Sequence, residues 1–246
     1  MMRKNEYAEI ESYMLDQMRD SAHDKHHVYR VLNSALDIAG YTDNPDMDVL
    51  VAACLLHDIG RDEQFSDVRL DHAKIGGDKA YAFLQSLGWP YQKASHVKDC
   101  ISSHRYRLSN PPVSLEAKIL YDADKLEACG ALGMARTLIY GGQVSEPLYI
   151  MDESGGIVVD GGGADISSFF QEYNYKLKNV YGSFHTARAK EIASKRRITA
   201  KNFYAGLYDE VASNYENGTR KYLARLFDEN APDAAADRGS KNVEEI

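Results

Sequence analysis

The feature that most constrains this chain is the stretch at residues 55–60, where His57 and Asp58 stand side by side at the end of an apolar helical run. The run begins at Asp48, and Gly60 follows it, where a helix often stops in a left-handed conformation. An imidazole and a carboxylate at a buried helix end cost free energy unless a partner satisfies them, and a divalent metal ion is such a partner. A solvated helix end is the simpler alternative, because short motifs also occur without a function.

Length and composition set the class of protein. The chain has 246 residues, of which 44% are hydrophobic and 27% charged, so it can bury a sizeable core. Its net charge of −8 is unfavourable for a stable nucleic-acid complex or for an anionic membrane. Cys54, Cys100 and Cys129 are scattered and odd in number, which favours a reducing compartment. Without a signal sequence or a bilayer-spanning apolar run, we expect a cytoplasmic protein; a homodimer is left open.

Apolar periodicity predicts an all-α fold, a helical bundle in a single domain over residues 1–230. We expect accessory helices over residues 165–228 and a disordered tail over residues 231–246. Residues 61–69 are predicted to be irregular. The predicted helices cover residues 5–20, 24–39, 48–57, 71–87, 90–104, 115–138, a segment from 165, 186–215 and 222–227.

The strongest loop signal is the glycine-rich segment at residues 152–163, which has room for a small hairpin. A phosphate-binding loop is the functional interpretation of such a segment. The segment lacks the glycine and lysine spacing of a P-loop and the buried strand that precedes one. A flexible surface insertion is therefore the favoured interpretation.

Several imidazoles and carboxylates fall on the inward faces of successive helices. Each one alone is best explained as a hydrogen-bonded core residue, but burying them together is costly unless they share a cation. Asp122 and Asp124 lie about 200° apart around their helix, and both faces are apolar, so periodicity does not choose between them. Histidines combined with aspartates suit Mn, Fe, Mg or Zn. The inward set is His27, His57, Asp58, His72, His104 and one or both of Asp122 and Asp124.

The order His27, His57-Asp58, Asp124 resembles the H…HD…D signature of the HD-domain superfamily of metal-dependent phosphohydrolases. The local sequences at residues 24–31, 55–60, 71–77 and 122–126 are also similar to motifs of that superfamily. The resemblance spans about residues 20–140 and implies the HD-type helical bundle, with this span as its metal-binding core. It also implies one or two divalent ions, of Mn, Mg, Fe, Co or Zn, and a small phosphorylated substrate such as a nucleotide.

Carried over to this sequence, the resemblance implies metal ligands at His27, His57, Asp58 and Asp124. Asp122 is then an alternative ligand or a support for the ligands. The expected catalytic residues are Asp58, Lys125, His72 and His104. The two histidines have positions where some subfamilies place extra histidines, and three roles stay open for them: to hold a second metal, to contact the substrate phosphate or to contact the attacking water. The candidate cations for phosphate binding are Arg30, Lys176, Arg196 and Arg197.

Two other functions use the same residues. A di-iron oxygenase needs six histidine and aspartate ligands, including His72 and His104, and iron in the purified protein. A non-catalytic nucleotide sensor binds its ligand without turnover, although a site without activity has no need of the complete motif. Metal-dependent phosphohydrolysis is the function we expect from the sequence.

Overall fold

The computed structural model describes residues 2–17, 25–105, 110–161 and 168–226. Asp24 and the tail at 231–246 lie outside them, as do residues 162 and 163 of the glycine-rich segment. The helices are α1 (Lys4–Gln17), α2 (Lys25–Ala39), α3 (Met47–Leu56), α4 (Arg61–Ser66), α5 (His72–Ser86), α6 (Tyr91–Ser103), α7 (Leu115–Leu126), α8 (Gly130–Gln143), α9 (Phe169–Glu172), α10 (Ala187–Asn214) and α11 (Lys221–Leu226).

The predicted all-α class is confirmed. In the described ranges the only β interaction is an isolated bridge between Met151 and Ile157, within the glycine-rich segment. Helix α9 continues into a π-helical segment, Tyr173–Leu177. None of the helices that the structure describes is both long and apolar enough to cross a membrane. The single-domain organisation stays a prediction.

Short polar side chains fix where the helices of the core begin. Asp46 precedes α3 and accepts hydrogen bonds from the backbone of Asp48 and Val49. Ser114 caps α7 by accepting a hydrogen bond from the backbone of Ala117. Such caps satisfy N–H groups that have no partner inside the helix.

Helix α3 lies in the centre of the bundle. It contacts α1, α2, α5, α6 and α7, and residues 52–55 within it are fully buried. A helix that is apolar on all sides is stable only when neighbours surround it. Its C-terminal end, which carries His57 and Asp58, therefore opens into the interior rather than into solvent.

The prediction of one continuous helix over residues 115–138 is wrong. The chain leaves the helix at Glu127 and starts α8 at Gly130, whose φ is +69°. That left-handed conformation is accessible to glycine at little cost and interrupts an α-helix. The apolar pattern continues across the break, so periodicity alone does not reveal it.

Two other local predictions need correction. Residues 61–66 form α4 rather than irregular chain, and Asp62 and Glu63 in its first turn favour a helix start. Gly60 has φ −99°, so it is not a left-handed helix stop. A Cβ at Gly60 would lie 2.3 Å from the carbonyl oxygen of His72 and 2.7 Å from the backbone nitrogen of Gly76. The close approach of α5 therefore explains why this position holds a glycine.

Gly60→Ala is expected to destabilise the protein by about 2 kcal/mol or more, because the added methyl group meets backbone atoms that cannot move aside. Chemical unfolding monitored by circular dichroism measures the loss. Gly206→Ala is the matched control, since a Cβ there meets nothing within 4 Å and the site lies within α10. Alanine favours a helix, so the control should be neutral or slightly stabilised. Equal effects of the two substitutions would contradict the close-approach explanation.

Candidate metal centre

Five helices bring the inward residues to one place in the interior. Each residue lies on or beside the end of a helix or on its buried face, and their side chains form two groups of possible metal ligands. The first group is His27 on α2, His57 after α3 and Asp124 on α7, and the second is Asp58 after α3, His72 at the start of α5 and His104 after α6.

The first group brings two imidazoles and a carboxylate together. The Nε2 atoms of His27 and His57 lie 3.3 Å apart. Asp124 Oδ1 lies 3.5 Å from His27 Nε2. One ligand atom from each of the three residues lies within 4.8 Å of the others. Nitrogen and oxygen atoms that face a common point in this way are suited to a divalent ion.

The second group leaves two ring nitrogens without a partner. The Nε2 atoms of His72 and His104 lie 3.6 and 3.7 Å from Asp58 Oδ1, beyond hydrogen-bond distance. Both nitrogens are buried, and neither has a hydrogen-bond partner in the part of the chain that the structure describes. Buried polar atoms without partners are rare and call for an explanation. A metal ion bound by these two nitrogens provides one.

Asp58 connects the two groups. Its Oδ2 lies 3.5 Å from His27 Nε2 and 3.6 Å from His57 Nε2, while its Oδ1 faces His72 and His104. Each oxygen of one carboxylate is therefore directed toward a different pair of imidazoles. A carboxylate in this position can bridge two cations.

Helix ends orient two of the histidines. His57 Nδ1 lies 2.7 Å from the carbonyl oxygen of Cys54, and His104 Nδ1 lies 2.6 Å from that of Ile101. Carbonyls in the last turn of a helix lack intrahelical partners and accept these hydrogen bonds. A carbonyl cannot donate, so each Nδ1 carries the proton. Each Nε2 therefore has a free lone pair for a metal.

Side chains orient the other two histidines. His72 Nδ1 lies 2.5 Å from Gln64 Oε1, and His27 Nδ1 lies 3.1 Å from Glu127 Oε2. Arg136 also lies 2.7 Å from His27 Nδ1, but one nitrogen cannot donate to the carboxylate and accept from the guanidinium together. We assign the proton to Nδ1 because the carboxylate requires a donor, and this leaves Nε2 of His27 as a ligand atom.

Burial and neighbouring charges shift the pKa values of the site. Burial, together with the positive charge of Arg61, lowers the pKa of His72 to about 2. Burial and His57 lower the pKa of His104 to about 4. Burial opposes the ionisation of Asp58, but neighbouring His57 and Arg61 hold its pKa well below the ordinary value. Neutral imidazoles beside an ionised carboxylate are the protonation states that metal binding requires.

Lys125 and Arg61 form ion pairs with the carboxylates of Asp124 and Asp58, respectively. Lys125 Nζ donates to Asp124 Oδ2 at 3.0 Å, leaving Oδ1 directed toward His27. Arg61 Nε donates to Asp58 Oδ1 at 2.9 Å. Each carboxylate therefore has a cation beside one of its oxygens.

Glu127 is a buried residue that sequence reasoning missed. Its Oε2 accepts hydrogen bonds from Arg30 Nε at 2.9 Å and Arg136 NH1 at 2.6 Å, in addition to His27. Burial raises the pKa of Glu127, but the hydrogen bonds from His27 and Arg30 outweigh it and lower it to about 2. Glu127 comes three residues after Asp124, a spacing that places both on one helix face and was an available signal.

Of the other missed residues, only Arg61 gave a comparable signal, because it follows Asp58 by three residues. Gln64 and Arg136, in contrast, come from separate helices, and only the tertiary fold brings them to the histidines.

Asp122 is in neither group of ligands. Its Oδ2 accepts hydrogen bonds from the backbone nitrogen and the hydroxyl of Thr186, both at 2.7 Å, and its Oδ1 accepts one from the backbone of His185 at 2.9 Å. Thr186 caps α10. Asp122 thus joins α7 to the start of α10, and the structure does not support it as an alternative ligand. The opposite helix face, which carries Asp124, lies toward the histidines.

The described contacts do not bring three of the expected phosphate-binding cations to the centre. Lys176 is exposed and pairs with Glu172 in the preceding turn. Arg197 stacks over the ring of Tyr181 at 5.8 Å. Arg196 donates to the backbone carbonyl of Leu126 at 2.7 Å, a contact that fastens α10 to the end of α7.

Residues 25–129 match the family model of the HD domain. A relative from Bacillus subtilis (strain 168), named uncharacterized protein YpgQ, is 29% identical over 207 residues, which cover 82% of this chain and 90% of the relative.

Solved structures with a similar fold include Bacillus subtilis YpgQ in complex with ADP. It has a TM-score of 0.64 and 24% identity over 83% of this chain and 97% of that one. A structure described as a predicted HD superfamily hydrolase, from an uncultured Thermotogales bacterium, has a TM-score of 0.56. It is 27% identical over 84% of this chain and 92% of its own.

The all-α fold and the two clustered sets of histidines and aspartates are those of a metal-dependent hydrolase. Residues 25–129 match the HD domain, and the chain is similar to a protein described as a predicted HD superfamily hydrolase. The HD domain supports a metal-dependent phosphohydrolase as the general class.

Asp122 and Asp124 should differ sharply when each is changed to Asn. Asp122→Asn is expected to cost about 1–3 kcal/mol of stability, because the new amide group faces backbone donors of α10, and to leave Mn²⁺ binding intact. Asp124→Asn should weaken Mn²⁺ binding strongly. Urea unfolding and calorimetric Mn²⁺ titration measure the two effects. Loss of Mn²⁺ binding in Asp122→Asn with unchanged stability would contradict this assignment.

Proposed function

We propose that this protein hydrolyses a nucleotide or another small phosphate ester or anhydride at a centre of one or two divalent ions. The observation that carries the proposal is the arrangement of Asp58 between the two pairs of histidines. His27, His57 and Asp124 would hold one ion, and His72 and His104 a second, with Asp58 shared between them. The expected metals are Mn, Mg, Fe, Co or Zn.

A divalent ion at this position supplies Lewis acidity to a phosphoryl oxygen and to the attacking water. The chain supplies orientation and charge. Asp58 orients the water, since its oxygens face both groups. Lys125 and Arg30 stabilise the negative charge that develops on the phosphoryl oxygens. The water oxygen bonds to phosphorus as the bond to the leaving oxygen breaks, and the leaving oxygen takes up a proton.

A nucleotide is the proposed substrate class because a structurally similar protein, Bacillus subtilis YpgQ, has been crystallised with ADP. At 24% identity the ADP complex supports a nucleotide as the substrate class, and the proposal names neither the base nor the number of phosphates. We propose no nucleic-acid partner and a location in the cytoplasm, on the basis of the acidic composition and the free cysteines.

The di-iron oxygenase is retained as the second candidate because the geometry meets its main requirement. It needs six histidine and aspartate ligands in two adjoining sets, and His72 and His104 complete that number. Iron in the purified protein together with oxygen consumption would favour it. Phosphate release from a nucleotide panel without oxygen consumption favours hydrolysis.

His57→Ala and Asp58→Ala are expected to abolish metal binding and phosphohydrolysis while helix content is retained. His57 contributes a ring nitrogen to the first group and Asp58 faces both, so each loss removes a ligand without a substitute. Metal analysis and phosphate release with Mn²⁺, Mg²⁺, Co²⁺ or Fe²⁺ measure the effect. Lys195→Ala, an exposed lysine paired with Glu191 on α10, is the control. Retained turnover in metal-stripped His57→Ala would contradict the proposal.

Metal binding should release a proton from His27. Burial lowers the pKa of His27, but the carboxylates of Asp124, Asp58 and Glu127 outweigh burial and raise it to about 10 in the metal-free protein. A protonated Nε2 cannot bind a metal, so the apparent Mn²⁺ affinity should rise with pH below that pKa, by up to about tenfold per pH unit. Calorimetry in buffers of different ionisation enthalpy measures the released proton. An affinity independent of pH between about pH 6 and 9 would contradict this.

A further inference from the structure

Two cations pair with carboxylates of the candidate metal centre, but they contact different kinds of oxygen. Lys125 Nζ donates to Oδ2 of Asp124 at 3.0 Å, and the other oxygen, Oδ1, faces His27. Arg61 Nε donates to Oδ1 of Asp58 at 2.9 Å, and this oxygen itself faces ligand atoms of the second group. Lys125 therefore leaves the ligand oxygen of its carboxylate to a metal ion, whereas Arg61 contacts a ligand oxygen directly.

The oxygen that Arg61 contacts is the one that completes the second group of ligands. Asp58 Oδ1 lies 3.6 Å from His72 Nε2 and 3.7 Å from His104 Nε2. Both ring nitrogens are buried and have no hydrogen-bond partner within the described ranges. An ion held by these three atoms would therefore meet the guanidinium at a shared oxygen.

The second group also has less negative charge than the first. The first group contains the carboxylate of Asp124 and is faced by Oδ2 of Asp58. As far as the structure describes the chain, the second group consists of two imidazoles and the carboxylate of Asp58, whose charge Arg61 already balances. Cation affinity rises with the number of charged ligands. The first group is therefore the tighter site for a divalent ion.

Arg61 lies where its charge acts on the second group. Its side chain is 31% exposed, and salt screens a partly buried charge less than a surface charge. Burial is the largest cause of the lowered pKa of His72, and the charge of Arg61 is the next largest. A positive charge that opposes a proton on this ring also opposes a divalent cation bound to it, since both effects are Coulomb repulsion.

We propose that Arg61 determines how many divalent ions the centre holds. The first group binds one ion tightly, and the second group binds another ion weakly because Arg61 stays paired with Asp58 Oδ1. Arg61 is a positioning residue, since it acts on the metal through Asp58. This role rests on the proposed function, because it takes both groups to bind divalent ions.

The number of bound ions tests this role without turnover. Full-length protein is dialysed against a series of free Mn²⁺ concentrations, and the Mn²⁺ bound per chain is measured. Wild-type protein should bind its second ion about tenfold or more weakly than its first, because the second group has less carboxylate charge. Arg61→Gln should narrow that difference by about tenfold or more, because the repulsion by the guanidinium is lost. Electron paramagnetic resonance is the second readout, since two adjoining Mn²⁺ ions couple magnetically and a single ion does not.

Control variants separate the charge of Arg61 from other effects. Arg61→Lys, which keeps the charge, should retain most of the wild-type difference. Arg69→Gln is the matched control, since it removes the same charge from a side chain that is 86% exposed and paired with Asp67, outside both groups. Arg61→Gln combined with His104→Ala should bind a single ion, which locates the second ion. If Arg61→Gln does not fold, as judged by circular dichroism, Arg61→Met removes the charge at similar side-chain length.

Several outcomes overturn the inference. They are two equally tight ions in the wild-type protein, no tighter second ion in Arg61→Gln and Arg61→Met, or the same change in Arg61→Lys as in Arg61→Gln. The guanidinium would then only stabilise the buried carboxylate.

Failure of the proposed function gives a different result. A second ion whose affinity depends on Arg61, in a protein that releases no phosphate from a nucleotide panel, supports the role of Arg61 and refutes hydrolysis. Phosphate release by a protein whose ion binding is independent of Arg61 does the reverse. A protein that binds no Mn²⁺ at any concentration overturns both proposals.

Discussion

The structure depends on the burial of one charged carboxylate between four imidazoles. Asp58 is 3% exposed, and its two oxygens face His27 and His57 on one side and His72 and His104 on the other. A buried anion is costly unless cations or hydrogen bonds compensate it. The surrounding helices bring the four histidines and Arg61 close to this carboxylate, and these groups compensate its charge.

The surrounding chain also fixes the protonation of the site. Carbonyls at the ends of α3 and α6 hold two histidines, and Gln64 and Glu127 hold the others, so each ring keeps Nδ1 as a donor and directs Nε2 inward. Orientation of this kind is typical of histidines that bind metals. Glu127 adds a second role, because it gathers two arginines beside the same ring. Glu127 thus links the ring of His27 to both guanidinium groups.

Much of the fold could be predicted because its helices follow apolar periodicity. Where that pattern continues across a change of direction, the prediction failed. This happens between Leu126, where the helix that carries Asp124 ends, and Gly130, which starts α8 with a positive φ. It also failed at α4, a short helix without an apolar stripe. Gly60 was correctly singled out, but for the wrong reason, since close approach of α5 depends on a contact distant in sequence.

The sequence by itself determined the helical class, the resemblance to the HD-domain superfamily and the candidate residues, because residue type and spacing are local properties. Only the tertiary structure decided that Asp124 faces the histidines while Asp122 accepts hydrogen bonds from His185 and Thr186 at the start of α10. It also brought in Arg136 and Gln64 and left Lys176 and Arg197 in contacts elsewhere. The physical reason is that periodicity defines the faces of a helix, whereas the neighbour on each face is set by the packing of helices distant in sequence.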